Sequence, residues 1–491
     1  LLSLDEMASL AKDSNVLPVI YEAFNASETP LGIYRKLQGQ SSVFLLESAE
    51  QGVWSRYSFI GFNPRGELIE VGGKATWTGP ELGFALAEDP IVALELISEH
   101  FKSADLSEIP LQSGLVGHMS WNVVRYLEKL PAEKTGDYSI PSIHFLQFRE
   151  IVVLDHLESK LFIIHNIFTE DGGLAESYEH GKSRISEIQE ILSAPVNSEI
   201  YGVNFEAEDT VKASMDKSEF LSMVDDAKSH VIAGDVFQVV VSQRFTQELG
   251  VSADEVYAVL RALNPSPYMY LLQLKDSDGS YWIVGSSPEA LVKINGRRII
   301  SHPIAGSRPR GTDPVSDTEL EKELLADTKE QSEHLMLVDL ARNDLLRSCE
   351  PTSVNVDEFM VVHRYSHIMH LVSTVVGQLR DGISRVSAVT SAFPAGTLSG
   401  APKPKALEVI ETLEGTNRGL FGGVVGYFDF QGNADLAIAI RTALIRDSKA
   451  YVQAGAGIVL DSDPESEYQE TLAKAKVIQK AISVANSRTK H

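Results

Sequence analysis

The stretch at positions 451–476, "YVQAGAGIVLDSDPESEYQETLAKAK", sets the architecture. Its first ten residues alternate apolar and small side chains around a centre rich in Val, Ile and Gly, the pattern of a strand. "DSDP" then supplies turn residues and a proline suited to the first turn of a helix. Beyond it Glu467 and Glu470 lie three apart and Lys474 follows four later, so a helix puts all three on one face. Taken alone, that face reads as a solvated surface with a Glu470–Lys474 pair, worth about 0.3–0.5 kcal/mol.

Outward from this unit, strands dominate. "SVFLLES" (42–48), "YSFIGFN" (57–63) and "GELIEVGGKATWTG" (66–79) follow one another, the last as a hairpin turning at Gly72-Gly73. A longer hairpin occupies 143–167, and apolar spacing predicts a helix from about Leu174 to Leu192. The polar, aperiodic stretch 193–213 is the best linker. After it come a helix stopping at Gly234, the strand "DVFQVVVSQRF" (235–245), and a helix opened by a Ser252…Glu255 capping box. "YMYLLQL", "YWIVGSS", "ALVKING" and "RRIISHPIAG" read as four strands, Thr318 to Leu346 as one long helix, and "IMHLVSTVVGQL" as a further strand. Hairpin-joined strands with helices between groups predict an α+β fold: two lobes on largely antiparallel sheets flanked by helices. The boundaries are 1–200 for a strand-rich lobe and 214–488 for a second lobe.

Composition narrows the function. A chain of 491 residues exceeds the size of one growing core. Its 68 acidic against 43 basic residues leave a net charge of −25, which argues against nucleic-acid or anionic-membrane partners. An anionic substrate would need a local patch of Arg, metal or backbone N–H groups. One cysteine, Cys349 in "LLRSCEP", precludes an intrachain disulfide, fits a reducing compartment and lacks a nucleophile's glycine-flanked elbow. No apolar run approaches a membrane span and the start lacks the parts of a signal peptide, so a soluble cytoplasmic protein is expected.

Several motifs bear on chemistry. "KEQSEHLMLVDLARND" (329–344) repeats the spacing of the first stretch, with Glu330 and Glu333 three apart. Two helices each bearing such a pair could present four carboxylates in one cleft, and all-oxygen ligation favours Mg²⁺ over Zn²⁺. Unrelated acidic faces are the alternative. Five glycine-rich pieces, "GSSPEA", "PIAGSRPRG", "AGTLSGAPK", "GGVVGYF" and "QAGAGIV", contain neither a dinucleotide fingerprint nor a phosphate loop, but they let backbone N–H groups approach a ligand. Arg441, in the apolar strand "LAIAIRTALI", calls for an anionic partner, either a ligand or a structural Glu. His363, His367 and His370 read as strand-edge histidines rather than a metal set.

Together, "PIAGSRPRG", "SEHLMLVDLARNDLLR", "MHLVSTVVG", "GTLSGAPK", "GGVVGYF", "IAIRTAL" and "QAGAGIVLDSDPESEYQET" closely resemble the chorismate-utilising enzyme family, most specifically its anthranilate-forming synthase subunits. The resemblance spans most of 215–480 and extends thinly into "LLESAE" and "GLVGHMSWNVVRYLEKLP". It implies that Glu333 and Glu470 ligate Mg²⁺, supported by Glu330 and Glu467, with Lys474 balancing the charge. It implies that Tyr427, Arg441 and the backbone at Gly455, Ala456 and Gly457 hold the enolpyruvyl carboxylate, while Gly306 and Ser307 line the ring pocket. The family usually has Gly-Thr at that pair, and Ser307 keeps the hydroxyl. Glu289 is the expected general acid, with His370 and Thr397 near the pyruvate-eliminating step.

The implied reaction turns chorismate and ammonia into anthranilate and pyruvate. The alternatives are aminodeoxychorismate synthase, isochorismate or salicylate synthase, and a non-catalytic tryptophan-binding regulator. The first typically has a nucleophilic lysine where Ala305 stands. The second activates water with a lysine, and Gln243 and its neighbours occupy that region here. Ser48, with Pro267, Tyr268 and Met269, resembles the family's L-tryptophan feedback pocket. Lacking a glutaminase, the chain would take ammonia from a separate glutamine amidotransferase subunit, in a heterotetramer.

Overall fold

The computed structural model describes residues 2–48, 56–106, 109–195, 201–364 and 368–489. The opening stretch folds as its sequence reads. Strand Lys449–Ile458 lies antiparallel along Gln238–Glu248, pairing from Lys449↔Glu248 to Ile458↔Val239. Asp463 then accepts from the Ser466 N–H as N-cap, Pro464 occupies the first turn, and the helix runs Pro464–Asn486.

The ladders between named strands are antiparallel, and they cross from the first part of the chain to the second. Phe44–Glu47 is flanked by Tyr57–Val71 and by Tyr268–Asp276. Gly114–Met119 is flanked by Ile143–Asp155 and by Val424–Asp429. The core mixes the halves likewise, since Phe44, Val116 and Phe148 pack with Tyr270, Tyr281 and Leu444. Within the linker stretch 193–213, residues 196–200 lie outside the described residues. Past them Gly202 bridges to Thr489, and Lys212–Ala213 pairs with Gln238–Glu248.

Local signals explain many boundaries. Gly72 and Gly73 adopt φ of 59° and 83°, the left-handed pair that a tight hairpin turn requires. Capping boxes at Asp216/Glu219 and Ser252/Glu255 open the helices Lys217–Ile232 and Ala253–Leu263. Three expectations need correction. "YSFIGFN" and "GELIEV" form one strand, Tyr57–Val71, irregular at Pro64/Gly66. "RRIISHPIAG" contributes two strands, Arg298–Ser301 and Ile304–Pro309, both paired to Ile368–Gln378. The helix read from Thr318 to Leu346 is two, Pro314–Ala326 and Thr328–Leu346. Asp327 divides them: its backbone is extended and its carboxylate accepts from the Lys329 and Glu330 N–H groups at 3.0 and 3.2 Å. Glu330 therefore sits in the first turn of a new helix, where a carboxylate is favoured.

Candidate functional site

The two acidic helices converge. Glu333 on Thr328–Leu346 has its carboxyl raised, first by burial and then by the charges of Glu330 and Glu470. Glu467 is raised by burial and by Glu470. Glu470 acts on both Glu333 and Glu467, so these side chains are close enough for a cation to relieve their repulsion, and an all-oxygen donor set suits a hard divalent ion. Among the described residues, no group of three or more His, Cys, Asp or Glu side chains closes into a metal cage. Glu470 also makes the plain helix pair with Lys474, at 2.6 Å and about half exposed. Lys474 further donates to the Gly455 carbonyl at 3.0 Å, tying its helix to strand Lys449–Ile458.

Beside these acids stands a second group. Burial raises the Glu289 carboxyl to about 7, against the pull of Thr397, Arg441 and Lys474. Thr397 Oγ1 donates to Glu289 Oε1 at 3.4 Å. His370 is held below its ordinary value by burial and by nearby Arg441. Its Nδ1 meets the Gly306 carbonyl and the Ser307 hydroxyl, both at 3.0 Å. A carbonyl only accepts, so Nδ1 carries the hydrogen and Nε2 is the basic nitrogen of a neutral ring. One carboxyl thus keeps its proton up to about pH 7 and one imidazole is pushed toward its neutral form, the separation of acid from base that proton-transfer chemistry needs.

Arg441 reaches this group from an unusual backbone. Its φ is +49°, left-handed for a residue with a side chain, and its carbonyl accepts from the Ser286 N–H at 3.1 Å. Gly306 has φ +68°, and a Cβ there would stand 3.2 Å from Glu330 Oε2, so the glycine brings its strand against the acidic helix. Close approach explains Gly455 and Gly457 as well. A Cβ on Gly455 would lie 2.8 Å from the Val241 carbonyl, and one on Gly457 2.4 Å from Gln238 Nε2. Ala456 between them turns its methyl into the core.

Tyr427 faces a second cavity. It lines a cavity of about 650 Å³ together with Ser48, Pro267, Tyr268 and Met269, so the structure groups it with the second set of sequence-selected residues. Two buried polar atoms there, Ser48 Oγ and Asp435 Oδ1, have no hydrogen-bond partner among the described residues. Glu47, a buried lining residue, is held by Tyr257 and by Arg261 at 2.8 Å. Sequence reading missed Glu47, Asp435, Lys293 and His302, which also line this cavity. Each lies on or beside an ordinary strand, and only the register of distant strands brings them together. His363 faces the cavity too, opposite His370 across the ladder, whereas His367 lies outside the described residues. Cys349 is buried, its sulfur where a Cβ on Gly377 would have to fit. Ala305 is buried opposite Leu371, and Gln243 donates to Thr471 Oγ1 at 2.7 Å. No described helix is long and apolar enough to cross a membrane.

Comparison with known proteins identifies the family. Residues 41–480 match the family described as chorismate binding enzyme. Proteins called anthranilate synthase component 1 from Arthrobacter globiformis and Mycobacterium tuberculosis are each 45% identical, across 99% of this chain and 93% and 96% of theirs. The crystal structure of anthranilate synthase component I from Streptococcus pneumoniae is similar at a TM-score of 0.78 and 34% identity, covering 87% of this chain and 93% of that one. The menaquinone-specific isochorismate synthase of Escherichia coli, at TM-score 0.69 and 19% identity over 98% of both chains, shares the fold.

Proposed function

The chain belongs to the chorismate-binding enzyme family, and from that premise we propose that it makes anthranilate and pyruvate from chorismate and ammonia. The observation that carries this reading is one cluster in which the Glu289 carboxyl, raised to about 7 by burial, stands beside Thr397, Arg441 and Lys474, with His370 seated on Gly306 and Ser307. Glu289 gives its proton to the C4 hydroxyl, which leaves as water while ammonia adds at C2. His370, oriented by Gly306 and Ser307, is suited to take the C2 proton as the ring becomes aromatic and pyruvate departs. Arg441 pairs with the substrate's enolpyruvyl carboxylate and Gly306 opens space for the ring. Arg441's reach toward both acid and base supports that placement.

Mg²⁺ would be held by Glu333 and Glu470, with Glu330 and Glu467 behind them. When bound, it would supply positive charge to anchor the ring carboxylate. The raised carboxyls of Glu333 and Glu467, each with Glu470 among its causes, support the assignment. Lys474 holds Glu470 at the edge of the seat and keeps the local charge balanced.

The larger cavity is read as an L-tryptophan inhibitor site. Its size, its apolar walls and the unsatisfied Ser48 and Asp435 oxygens suit an aromatic amino acid whose ammonium and carboxylate need polar partners. Ammonia would come from glutamine through a separate amidotransferase subunit in a heterotetramer, a reading supported by the "component 1" naming of the relatives. Incubation with chorismate, Mg²⁺ and an ammonium salt tests the function, with anthranilate fluorescence expected. Aminodeoxychorismate, isochorismate or salicylate as product would select a relative's chemistry. Unchanged chorismate would leave a binding protein.

A further inference from the structure

Behind Thr397 lies a buried ion pair that the proposed reaction does not use. Lys403 Nζ lies 2.7 Å from Asp344 Oδ2 and donates to the Ala392 carbonyl at 2.8 Å. Only 6% of the lysine and 9% of the aspartate is exposed. Burying an ammonium and a carboxylate is costly, and a well-packed apolar pair of similar volume is often at least as stable. Stability alone therefore does not account for the pair, and its location suggests what does.

Ala392 ends the helix Arg385–Ala392, and Lys403 begins the helix Lys403–Leu413. Lys403 thus closes the base of the connection 393–402, and Asp344 fastens that base to the helix Thr328–Leu346. Thr397 stands in the middle of the connection, in the short helix Gly396–Leu398. The far side is held separately: Arg418 donates to the Leu398 carbonyl at 2.6 Å, and the Val240 N–H donates to the Ser399 carbonyl at 2.9 Å. The near side rests against the same long helix, for a Cβ on Gly396 would strike Leu340 at 1.7 Å. Asp344, Thr397 and Glu289 line one cavity of about 40 Å³. Asp344 also shares its helix with Glu333, eleven residues earlier, so one rigid element joins the acidic cleft to the Thr397 connection.

We propose that Asp344 and Lys403 are positioning residues for Glu289: their ion pair fixes the 393–402 connection against the Thr328–Leu346 helix so that Thr397 reaches the carboxyl. This inference rests on the reading of Glu289 as the acid. The charged and donor groups acting on Glu289 are Thr397, Arg441 and Lys474, and of these only Thr397 is carried by the pinned segment. Loss of the pair should therefore act as loss of the Thr397 hydroxyl does.

The test compares Asp344→Asn, Thr397→Val, their double variant and Glu289→Gln in the ammonia-dependent reaction, with melting curves for each. A second route to the same loss is Asp344→Leu with Lys403→Met, which removes both charges while keeping an apolar fill. Expected for Asp344→Asn is a fall in kcat of about tenfold, within the range general acid catalysis contributes, with KM for chorismate within about twofold. The high-pH limb of kcat should move upward as it does in Thr397→Val, because that hydroxyl holds the Glu289 carboxyl down. The double variant should be no worse than about twofold beyond Thr397→Val, the non-additivity of two groups acting through one contact. A purely structural pair would lower the melting temperature and leave kcat and its pH limb in place in the folded fraction. If Glu289→Gln is inactive while Asp344→Asn or the apolar pair keeps wild-type kcat and limb, the positioning role alone is overturned. If Glu289→Gln stays within a few-fold of wild type, the acid reading falls and this inference with it.

Discussion

Replacing Glu289 by Gln should make the protein more stable at high pH while disabling it. Burial lifts the carboxyl from an ordinary 4.5 to about 7, so the folded state holds this proton more tightly than the unfolded chain. Its contribution to stability is complete below about pH 4.5 and is lost as pH rises through about 7. At about 1.4 kcal/mol per tenfold change in affinity, the full loss is roughly 3 kcal/mol. Roughly 1 kcal/mol of it is already gone by pH 5.5, leaving roughly 2 kcal/mol between pH 5.5 and 8.5. Glutamine occupies the same space, can still accept from Thr397 and has no charge to bury. An unfolding entropy near 2.1 cal/mol/K per residue gives about 1 kcal/mol/K for this chain, so the melting advantage of the variant should widen by about 2 °C over that interval. Turnover should fall at least ~100-fold, since the amide has no acidic proton to give. Wild-type kcat should decline above about pH 7 as the acid ionises. Calorimetry at the two pH values and an anthranilate assay read both effects. A melting difference that does not change with pH, together with turnover within a few-fold of wild type, would refute the assignment.

Other substitutions probe neighbouring parts. Gly306→Ala forces a side chain into φ +68° and toward Glu330, so it should cost about 1–2 kcal/mol of stability and raise KM for chorismate. Arg441→Lys keeps the charge but loses the planar fork, and kcat/KM should fall about 10–150-fold, roughly 1.5–3 kcal/mol, in steady-state assays. L-Tryptophan at about 100 times its Kd should stabilise the protein by about 2.7 kcal/mol and raise the melting temperature by a few degrees. Asp435→Asn should weaken that shift, and a flat melting curve at millimolar tryptophan in an active sample would exclude the inhibitor site.

Features set by neighbours in sequence were legible in the sequence. The Gly72-Gly73 turn, the Ser252…Glu255 box and the strand–turn–helix around Pro464 each depend on a few adjacent residues, and all three are present. The i, i+3 glutamates were legible as helix faces, and their spacing left open whether the two faces meet in one cleft or are unrelated. The break at Asp327 was not legible, because an aspartate in a polar helix gives no warning that its carboxylate will cap the next segment. Nor was the placement of Tyr427, which depends on pairing opposite Val116 and Asp435 across two ladders. Strand alternation divides two faces without saying which cavity each meets. Gly455 and Gly457 read as ligand-approach glycines, and a further reason for glycine, the Val241 and Gln238 atoms more than two hundred positions away, is visible only in the fold. Lys403 and Asp344 are 59 positions apart and carry no local signal for each other.

The account stands on the acids of two helices acting as one seat for a divalent cation beside Glu289 and His370. Mn²⁺, a paramagnetic stand-in for Mg²⁺, measures that seat directly by electron paramagnetic resonance titration. One site should appear in the wild-type protein, tighten when chorismate is added, and be lost in both Glu333→Gln and Glu470→Gln while the melting curves remain cooperative. Mn²⁺ binding unchanged by either substitution would contradict it.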